Sequence, residues 1–92
     1  LRAIRDGSVL ELTPTEGRLL ATLMSRCGWP VSKRRLLHLV WRWEGYDENL
    51  VEVHVSSLRR RLERHGPRVI HTVRGRGYRF GASAREAALS AR

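Results

Sequence analysis

The sequence has 92 residues, which is enough for one domain with a single small core. Its 18 Lys and Arg residues against 9 Asp and Glu residues give a net charge of +9, which favours a polyanionic partner, with nucleic acid as the first candidate. An anionic membrane surface is the weaker candidate, because no long amphipathic helix sets exposed aromatic or leucine side chains opposite the basic residues. No apolar run could span a bilayer and no signal-peptide pattern is present, so we expect a cytoplasmic protein. The first residue is Leu1, which suggests a piece of a longer protein.

Residues 1–12 predict a β-hairpin. Short runs of alternating apolar residues lie on both sides of Asp6-Gly7, a dipeptide that supplies the positive φ of a tight turn. We therefore expect an antiparallel pair of strands ahead of the first helix.

A capping box predicts where the first helix begins. Thr13 and Glu16 have the Thr-x-x-Glu spacing, and Pro14 occupies the first helical position. We expect this helix over residues 14–27, ended by Gly28. Its predicted buried face consists of Leu19, Leu20, Leu23, Met24 and Cys27.

A second helix is predicted over residues 33–42, with Ser32 as its N-cap. Its apolar positions are Leu36, Leu37, Val40 and Trp41. Lys33, Arg34 and Arg35 in its first turn oppose the helix dipole at a cost of up to about 1 kcal/mol. A nearby phosphate would offset that cost, and three solvated surface charges are an equally good interpretation.

Residues 49–65 predict a third helix with two different faces. The buried stripe consists of Val51, Val55, Leu58 and Leu62. The outer face carries small polar and cationic side chains, namely Asn49, Val53, Ser56, Ser57, Arg60 and Arg64, with His54 and Arg59 on its flanks. Glu52 and Glu63 lie on one flank, so the outer face has no carboxylate and is suited to an anionic surface. The preceding residues 42–48 predict a loop, in which Asp47 is one N-cap candidate and Asn49 is the other.

Residues 68–80 predict a second hairpin, with a glycine-containing turn at Gly75-Arg76-Gly77. Arg74, Arg76 and Arg79 place three positive charges on it. Residues 82–92 are rich in alanine and predict a flexible or marginally helical tail.

Other chemistry has little support in the sequence. The single cysteine, Cys27, permits no internal disulfide and is interpreted as a small core residue. The histidines have no metal-binding spacing, and the carboxylates are not paired beside a nucleophile. We therefore expect neither an enzyme nor a cofactor, and no metal site. Three helices followed by an arginine-bearing hairpin predict a winged helix-turn-helix that binds DNA.

The sequence also resembles the winged-helix output domain of OmpR/PhoB-type two-component response regulators, from about residue 10 to residue 80. Four segments in the family's order carry the resemblance: Leu12-Thr13-Pro14-Thr15-Glu16 with Leu19-Leu20; Val40-Trp41; Val51-Glu52-Val53-His54-Val55 with Leu58-Arg59-Arg60-Arg61-Leu62; and Thr72 to Phe80. The resemblance implies sequence-specific binding of promoter DNA, often at direct repeats bound head-to-tail. It also implies that the third helix reads the major groove and the second hairpin, the wing, reads the minor groove.

The resemblance carries the family's DNA contacts onto numbered positions of this chain. Base readout falls on Ser57, Thr72 and Arg74. Phosphate contact falls on Trp41, Asn49, His54, Ser56, Arg59 and Tyr78. We add Arg60 and Arg76 to this set because of their positive charge. In the family, the loop that corresponds to Arg42, Trp43, Glu44, Gly45, Tyr46, Asp47 and Glu48 touches RNA polymerase. Packing of Trp43 and Tyr46 onto the core is the alternative.

Three departures from the family pattern stand out. Gly17 replaces a large aromatic residue, and Trp29 and Trp43 are the candidates to fill the volume left. Ser56 and Ser57 replace the Arg or Lys of many members, which removes a bidentate guanine contact. The family has a four-stranded N-terminal sheet and a receiver domain, whereas this sequence has two predicted strands and no receiver.

We therefore predict an α+β winged helix-turn-helix domain over residues 1–81, with a three-helix core between the two hairpins. The predicted function is sequence-specific binding of double-stranded DNA in transcription regulation, as the output domain of a response regulator. A winged-helix protein-interaction module and a non-specific nucleic-acid binder are the alternatives.

Overall fold

Two antiparallel hairpins flank three helices in the computed structural model, which describes residues 2–5, 7–42 and 47–81. The strands of the first hairpin are β1 (Arg2–Arg5) and β2 (Ser8–Glu11), in the register Arg2 to Glu11 and Arg5 to Ser8. Gly7 has a φ of 80° in the turn, and Asp6 lies outside the described residues. The Arg5 side chain donates to the carbonyls of Leu62 and Pro67. These bonds connect the first hairpin to the C-terminal end of the third helix and the segment that follows it.

Helix α1 (Pro14–Ser25) begins at the predicted capping box, because the Thr13 side chain accepts from the Glu16 N–H and the Glu16 carboxylate accepts from the Thr13 N–H. The helix ends at Ser25, before the predicted residue 27. Leu19, Leu20 and Leu23 form its buried stripe.

Two side chains expected on the buried face of α1 are exposed. Met24 is 50% exposed because it lies about 100° around the helix from Leu23, at the edge of the stripe. Cys27 lies beyond the last helical turn, so helical spacing does not bring it to the core, and its assignment as a core residue was wrong. Trp29 is 74% exposed and therefore does not fill the volume beside Gly17, while Trp43 lies outside the described residues.

Helix α2 (Lys33–Leu36) is capped by Ser32, whose side chain accepts from the Arg35 N–H at 3.1 Å. It runs into a π-helical turn (Leu37–Trp41), where an α-helix had been predicted to residue 42. The Arg42 N–H bonds the Leu37 carbonyl five residues earlier, and Arg42 then ends the turn with a φ of 56°. Leu36, Leu37 and Val40 are buried, so the apolar spacing predicted the buried side but not the wider turn.

Helix α3 (Glu48–Glu63) supplies the centre of the core. Asp47 is its N-cap and accepts from the Asn49 N–H at 2.8 Å. The predicted stripe is fully buried, and the core cluster consists of Leu10, Leu12, Leu19, Leu20, Leu23, Val31, Leu36, Leu37, Val40, Val51, Val55, Leu58, Leu62, Ile70 and Tyr78. None of the helices within residues 7–42 and 47–81 combines the length and the apolar character that crossing a bilayer requires.

The second hairpin consists of β3 (Ile70–Val73) and β4 (Gly77–Phe80), which together with the turn between them are called the wing. Tyr78 exchanges two backbone hydrogen bonds with Val31, at 2.8 and 3.0 Å, so that the segment ahead of α2 pairs with β4. The sequence did not predict this bridge, because Val31 is a single paired residue without a strand pattern. The predicted tail, residues 82–92, lies outside the described residues.

Candidate nucleic-acid interface

One exposed stripe runs the length of α3 on the side opposite the core. It consists of Asn49, Val53, Ser56, Arg60 and Arg64, spaced by four, three, four and four residues. The N-terminal half of this stripe is small and mostly uncharged, and its C-terminal half carries two guanidinium groups. This arrangement presents small side chains and positive charge on one continuous surface with no carboxylate.

The two acids on the flank of α3 are held by cations from neighbouring segments. Glu52 pairs with Lys33, and this hydrogen bond raises the pKa of the Lys33 ammonium. Glu63 pairs with Arg68 at 2.8 Å. Lys33 is therefore ion-paired within the protein, whereas Arg34 and Arg35 in the same turn are exposed.

Glu16 is the one buried charged residue among those that the structure describes, with 2% of its surface exposed. Its carboxylate accepts from the Thr13 N–H at 2.9 Å, from the Ser57 hydroxyl at 3.0 Å and from Arg61 Nε at 3.1 Å. Burial opposes ionisation of this carboxyl, but the hydrogen bonds from Thr13 and Ser57 and the charge of Arg61 outweigh it and lower the pKa of Glu16. Glu16 thus joins the start of α1 to α3.

The sequence predicted only the capping role of Glu16. The second role depends on Ser57 and Arg61, which lie four residues apart and therefore project from the same side of α3. That spacing was a usable signal for a partner on a neighbouring helix, but it did not identify which carboxylate the partner would be.

Because the folded-state pKa of Glu16 is lowered, its stabilising contribution is present above the unfolded pKa of about 4.5 and is lost as pH falls through the folded value. We expect Glu16→Gln to lower the free energy of unfolding by about 1 to 2 kcal/mol at pH 7, since hydrogen bonds to a charged acceptor are lost. The difference between wild type and variant should shrink below about pH 4.5. Urea unfolding between pH 3 and pH 7 measures both quantities.

Glu63→Gln is the matched control, because it also removes one carboxylate paired with an arginine but does so near the surface. It should cost less than about 1 kcal/mol. An equal cost for the two variants at pH 7 would show that the buried network of Glu16 adds nothing to an ordinary ion pair.

Ser57, predicted to read bases, is half-buried and donates its hydroxyl to Glu16. Its neighbour Ser56 is exposed on the outer stripe. A base contact by Ser57 would use the acceptor lone pairs of its hydroxyl, or it would require the hydrogen bond from Ser57 to Glu16 to break. Base readout by Ser57 stays a prediction.

Trp41 and His54 pack against each other at the N-terminal end of α3. Their rings meet edge to face, with centroids 5.2 Å apart and an interplanar angle of 77°. His54 Nδ1 lies 2.9 Å from the Leu50 carbonyl oxygen, which can only accept, so Nδ1 carries the proton. A phosphate contact through the other ring nitrogen therefore requires the charged imidazolium, and phosphate contact by this pair stays a prediction.

The wing carries its exposed cations at the turn. Arg74 and Arg76 are exposed, and Thr72 is exposed just before the turn. A cleft of about 390 Å³ separates this turn from Lys33 and from Glu48 at the start of α3. The wing thus presents two guanidinium groups beside the N-terminal half of α3.

Arg59 and Tyr78, two further residues predicted to contact phosphate, contact each other within the protein. Arg59 places its guanidinium carbon 5.6 Å from the centre of the Tyr78 ring, and Tyr78 is only 4% exposed. Arg59 Nη1 also donates to Thr72 Oγ1 at 2.9 Å. The phosphate role of both residues stays a prediction, because their described contacts are within the protein.

The expected polymerase-contact loop is described only at its ends. Arg42 is exposed, Asp47 caps α3 and Glu48 is exposed in the first turn of that helix. Trp43 to Tyr46 lie outside the described residues. Within the described ranges, no group of three His, Cys, Asp or Glu side chains is arranged to hold a metal ion.

Comparison with known proteins gives consistent matches. The family model described as "Transcriptional regulatory protein, C terminal" matches residues 7–80. "Transcriptional regulatory protein AfsQ1" of Streptomyces coelicolor is 45% identical over 79 residues, which are 83% of this chain and 35% of that protein. "Phosphate regulon transcriptional regulatory protein PhoB" of Klebsiella pneumoniae is 40% identical over 83 residues, covering 88% of this chain and 36% of that protein. The chain thus spans about a third of the length of these relatives.

A solved structure matches the fold over most of its length. The DNA-binding domain of the response regulator AdeR, solved in complex with an intercistronic region, superposes with a TM-score of 0.76 and 28% sequence identity. The match covers 86% of this chain and 83% of that one. The α+β winged-helix prediction is confirmed by this match.

Proposed function

Because this chain belongs to the family of transcriptional regulatory protein C-terminal domains, we propose that α3 enters the major groove of DNA while the wing reaches the adjacent minor groove. As a member of that family, the chain is a DNA-binding module of transcription regulation and not an enzyme. The proposal rests on the exposed stripe of α3, which is free of carboxylates and ends in Arg60 and Arg64. A net charge of +9 supports it, since phosphate contacts supply much of the affinity for duplex DNA.

The two halves of the stripe suit different tasks. Recognition helices usually contact bases near their N-terminal ends, where α3 exposes Asn49, Val53 and Ser56. The Val53 side chain is 56% exposed and is suited to contact with a thymine methyl group. Arg60 and Arg64 lie further along the helix, where guanidinium groups grip phosphates and fix the orientation.

The wing would supply the second reading element. Arginine is favoured in the minor groove because the negative potential is concentrated there, and Arg74 and Arg76 are exposed at the tip. We propose Ser57, Thr72 and Arg74 for base readout. The proposed positioning contacts are Trp41, Asn49, His54, Ser56, Arg59, Arg60, Arg76 and Tyr78, of which Asn49, Ser56, Arg60 and Arg76 are exposed.

The family resemblance extends the proposal to the whole regulator. We propose that the chain is the output domain of a cytoplasmic response regulator that binds direct repeats head-to-tail, under control of a receiver domain. We also propose that residues 42–48 contact RNA polymerase. A selection from random duplexes tests the arrangement, because a recovered direct repeat with a period of about 10 to 10.5 base pairs supports it and a palindrome or no consensus contradicts it.

Arg74→Ala should weaken binding to the selected duplex by about 1 to 3 kcal/mol and should relax base preference at the positions that face the wing. Arg60→Ala is the matched control, because it removes the same exposed group from the helix stripe and should weaken all duplexes alike while reducing the salt slope by about one. Fluorescence anisotropy in rising salt, with single-stranded RNA as competitor, measures both. Unchanged duplex binding by both variants would overturn the DNA-binding geometry proposed above.

A further inference from the structure

Among the residues that the structure describes, Arg59 makes the hydrogen bonds between α3 and the wing. Its Nη1 donates to Thr72 Oγ1 at 2.9 Å and lies 3.4 Å from the Ile70 carbonyl oxygen. Its guanidinium carbon lies 5.6 Å from the centre of the Tyr78 ring, within the range of a cation–π contact. One side chain of α3 therefore contacts both strands of the wing.

We infer that Arg59 is a positioning residue, which fixes the wing against α3 and thereby sets where Arg74 and Arg76 meet the DNA. This inference rests on the proposed function, because it assumes that the wing and α3 bind the same duplex. It is an alternative to the direct phosphate contact that was proposed for Arg59 above, in which its guanidinium acts on DNA and not on the wing.

Two of the residues that Arg59 contacts are anchored in the core. Tyr78 is 4% exposed and Ile70 is 1% exposed, so both lie in the core. The backbone of Tyr78 is held by two hydrogen bonds to Val31, and its ring lies beneath the guanidinium. The planar, multiply donating guanidinium matches this set of partners, whereas a lysine ammonium does not.

Arg59 also sets the hydrogen-bonding direction of Thr72. A threonine hydroxyl has one donor hydrogen and two acceptor lone pairs. Because Thr72 Oγ1 accepts from Arg59, its hydrogen remains available to donate outward from an exposed position. A donor suits the minor groove, where A·T pairs present only acceptors. Arg59 therefore prepares Thr72 to donate to an A·T step while holding the turn that carries Arg74.

The test is a double-mutant cycle on the selected duplex, with binding measured by anisotropy over a range of salt. Arg59→Ala should weaken binding roughly 10- to 100-fold and flatten the salt slope by about two, because the two wing arginines lose their contacts together. Arg59→Ala/Arg74→Ala should bind within about twofold of Arg59→Ala alone, since residues that act as one unit are not additive. The control pair, Arg60→Ala with Arg74→Ala, should be additive.

Arg59→Lys distinguishes positioning from charge. A phosphate contact tolerates lysine, whereas positioning through a planar donor does not. We expect Arg59→Lys to lose the preference for A·T over G·C at the wing-facing positions, as Arg59→Ala does, while Arg60→Lys keeps it. The inference would be overturned by three results together. The effects of Arg59→Ala and Arg74→Ala would be additive, the salt slope of Arg59→Ala would change by only about one, and Arg59→Lys would keep the A·T preference.

A second measurement needs no DNA. Hydrogen exchange of the wing amides, including the Arg76 N–H that bonds the Val73 carbonyl at 2.9 Å, should speed up at least about tenfold in Arg59→Lys, with the β1–β2 hairpin unchanged. Unchanged exchange in the wing would overturn the inference even if the protein binds DNA. A wild-type protein that binds no duplex but shows the expected exchange would instead overturn the proposed function and leave Arg59 as the link between α3 and the wing.

Discussion

Gly77→Ala is expected to lower the free energy of unfolding by about 3 kcal/mol or more, because backbone strain and steric overlap add at this position. Gly77 has a φ of 125°, a conformation that an alanine rarely adopts. A Cβ at this position would overlap the Val31 carbonyl oxygen and would lie 2.7 Å from Ser32 Cα. Urea unfolding measures the loss, and the wing should lose its pairing with Val31.

Gly75→Ala is the matched control in the same turn. Gly75 also has a positive φ, 75°, but a Cβ there would meet nothing within 4 Å. Only the conformational cost remains, which is about 1 to 2 kcal/mol. Similar losses for the two variants would show that the close approach of Gly77 to Val31 contributes little.

Leu58→Ala should cost about 3 to 4 kcal/mol, because it opens a cavity where α3 crosses the centre of the core. Leu58 is fully buried. Under conditions in which the variant stays folded, its affinity for DNA should change little, since Leu58 does not reach the outer stripe of α3. Chemical unfolding and duplex titration on the same preparation give the two values.

Val53→Ala, on the opposite face of the same helix, should leave stability nearly unchanged and weaken DNA binding. Val53 is 56% exposed, so the free energy of unfolding should change by less than about 0.5 kcal/mol. Binding to the selected duplex should weaken if Val53 contacts a thymine methyl group, and substitution of uracil for that thymine should remove the difference. Equal stability losses for Leu58→Ala and Val53→Ala would contradict the two-faced helix.

Features encoded by neighbouring residues were predictable from the sequence. The capping box at Thr13 and Glu16, the cap at Ser32 and the buried stripe of α3 each depend on spacings of three or four residues, and all three are present. The exposed positions of Met24 and Cys27 were missed for different reasons: Met24 lies at the edge of the buried stripe, whereas Cys27 lies past a helix end that only backbone geometry defines.

Features that join distant residues were not predictable in the same way. The bridge between Val31 and Tyr78 and the contact of Glu16 with Arg61 cross more than forty positions, and nothing in the local spacing selects one partner over another. The same limit applies to the candidate interface. The charge of Arg59 suggested a phosphate contact, whereas its distance to Thr72 depends on how the wing folds back.

The bridge between Val31 and Tyr78 has a consequence for cooperativity. Its two hydrogen bonds close a backbone loop that contains α2, α3 and β3, while the first hairpin and α1 lie outside that loop. Cooperative units of local opening are roughly contiguous and often coincide with supersecondary motifs. We therefore expect the elements proposed to read DNA to open as one unit, in which case a ligand that orders the wing also protects the recognition surface of α3 from opening.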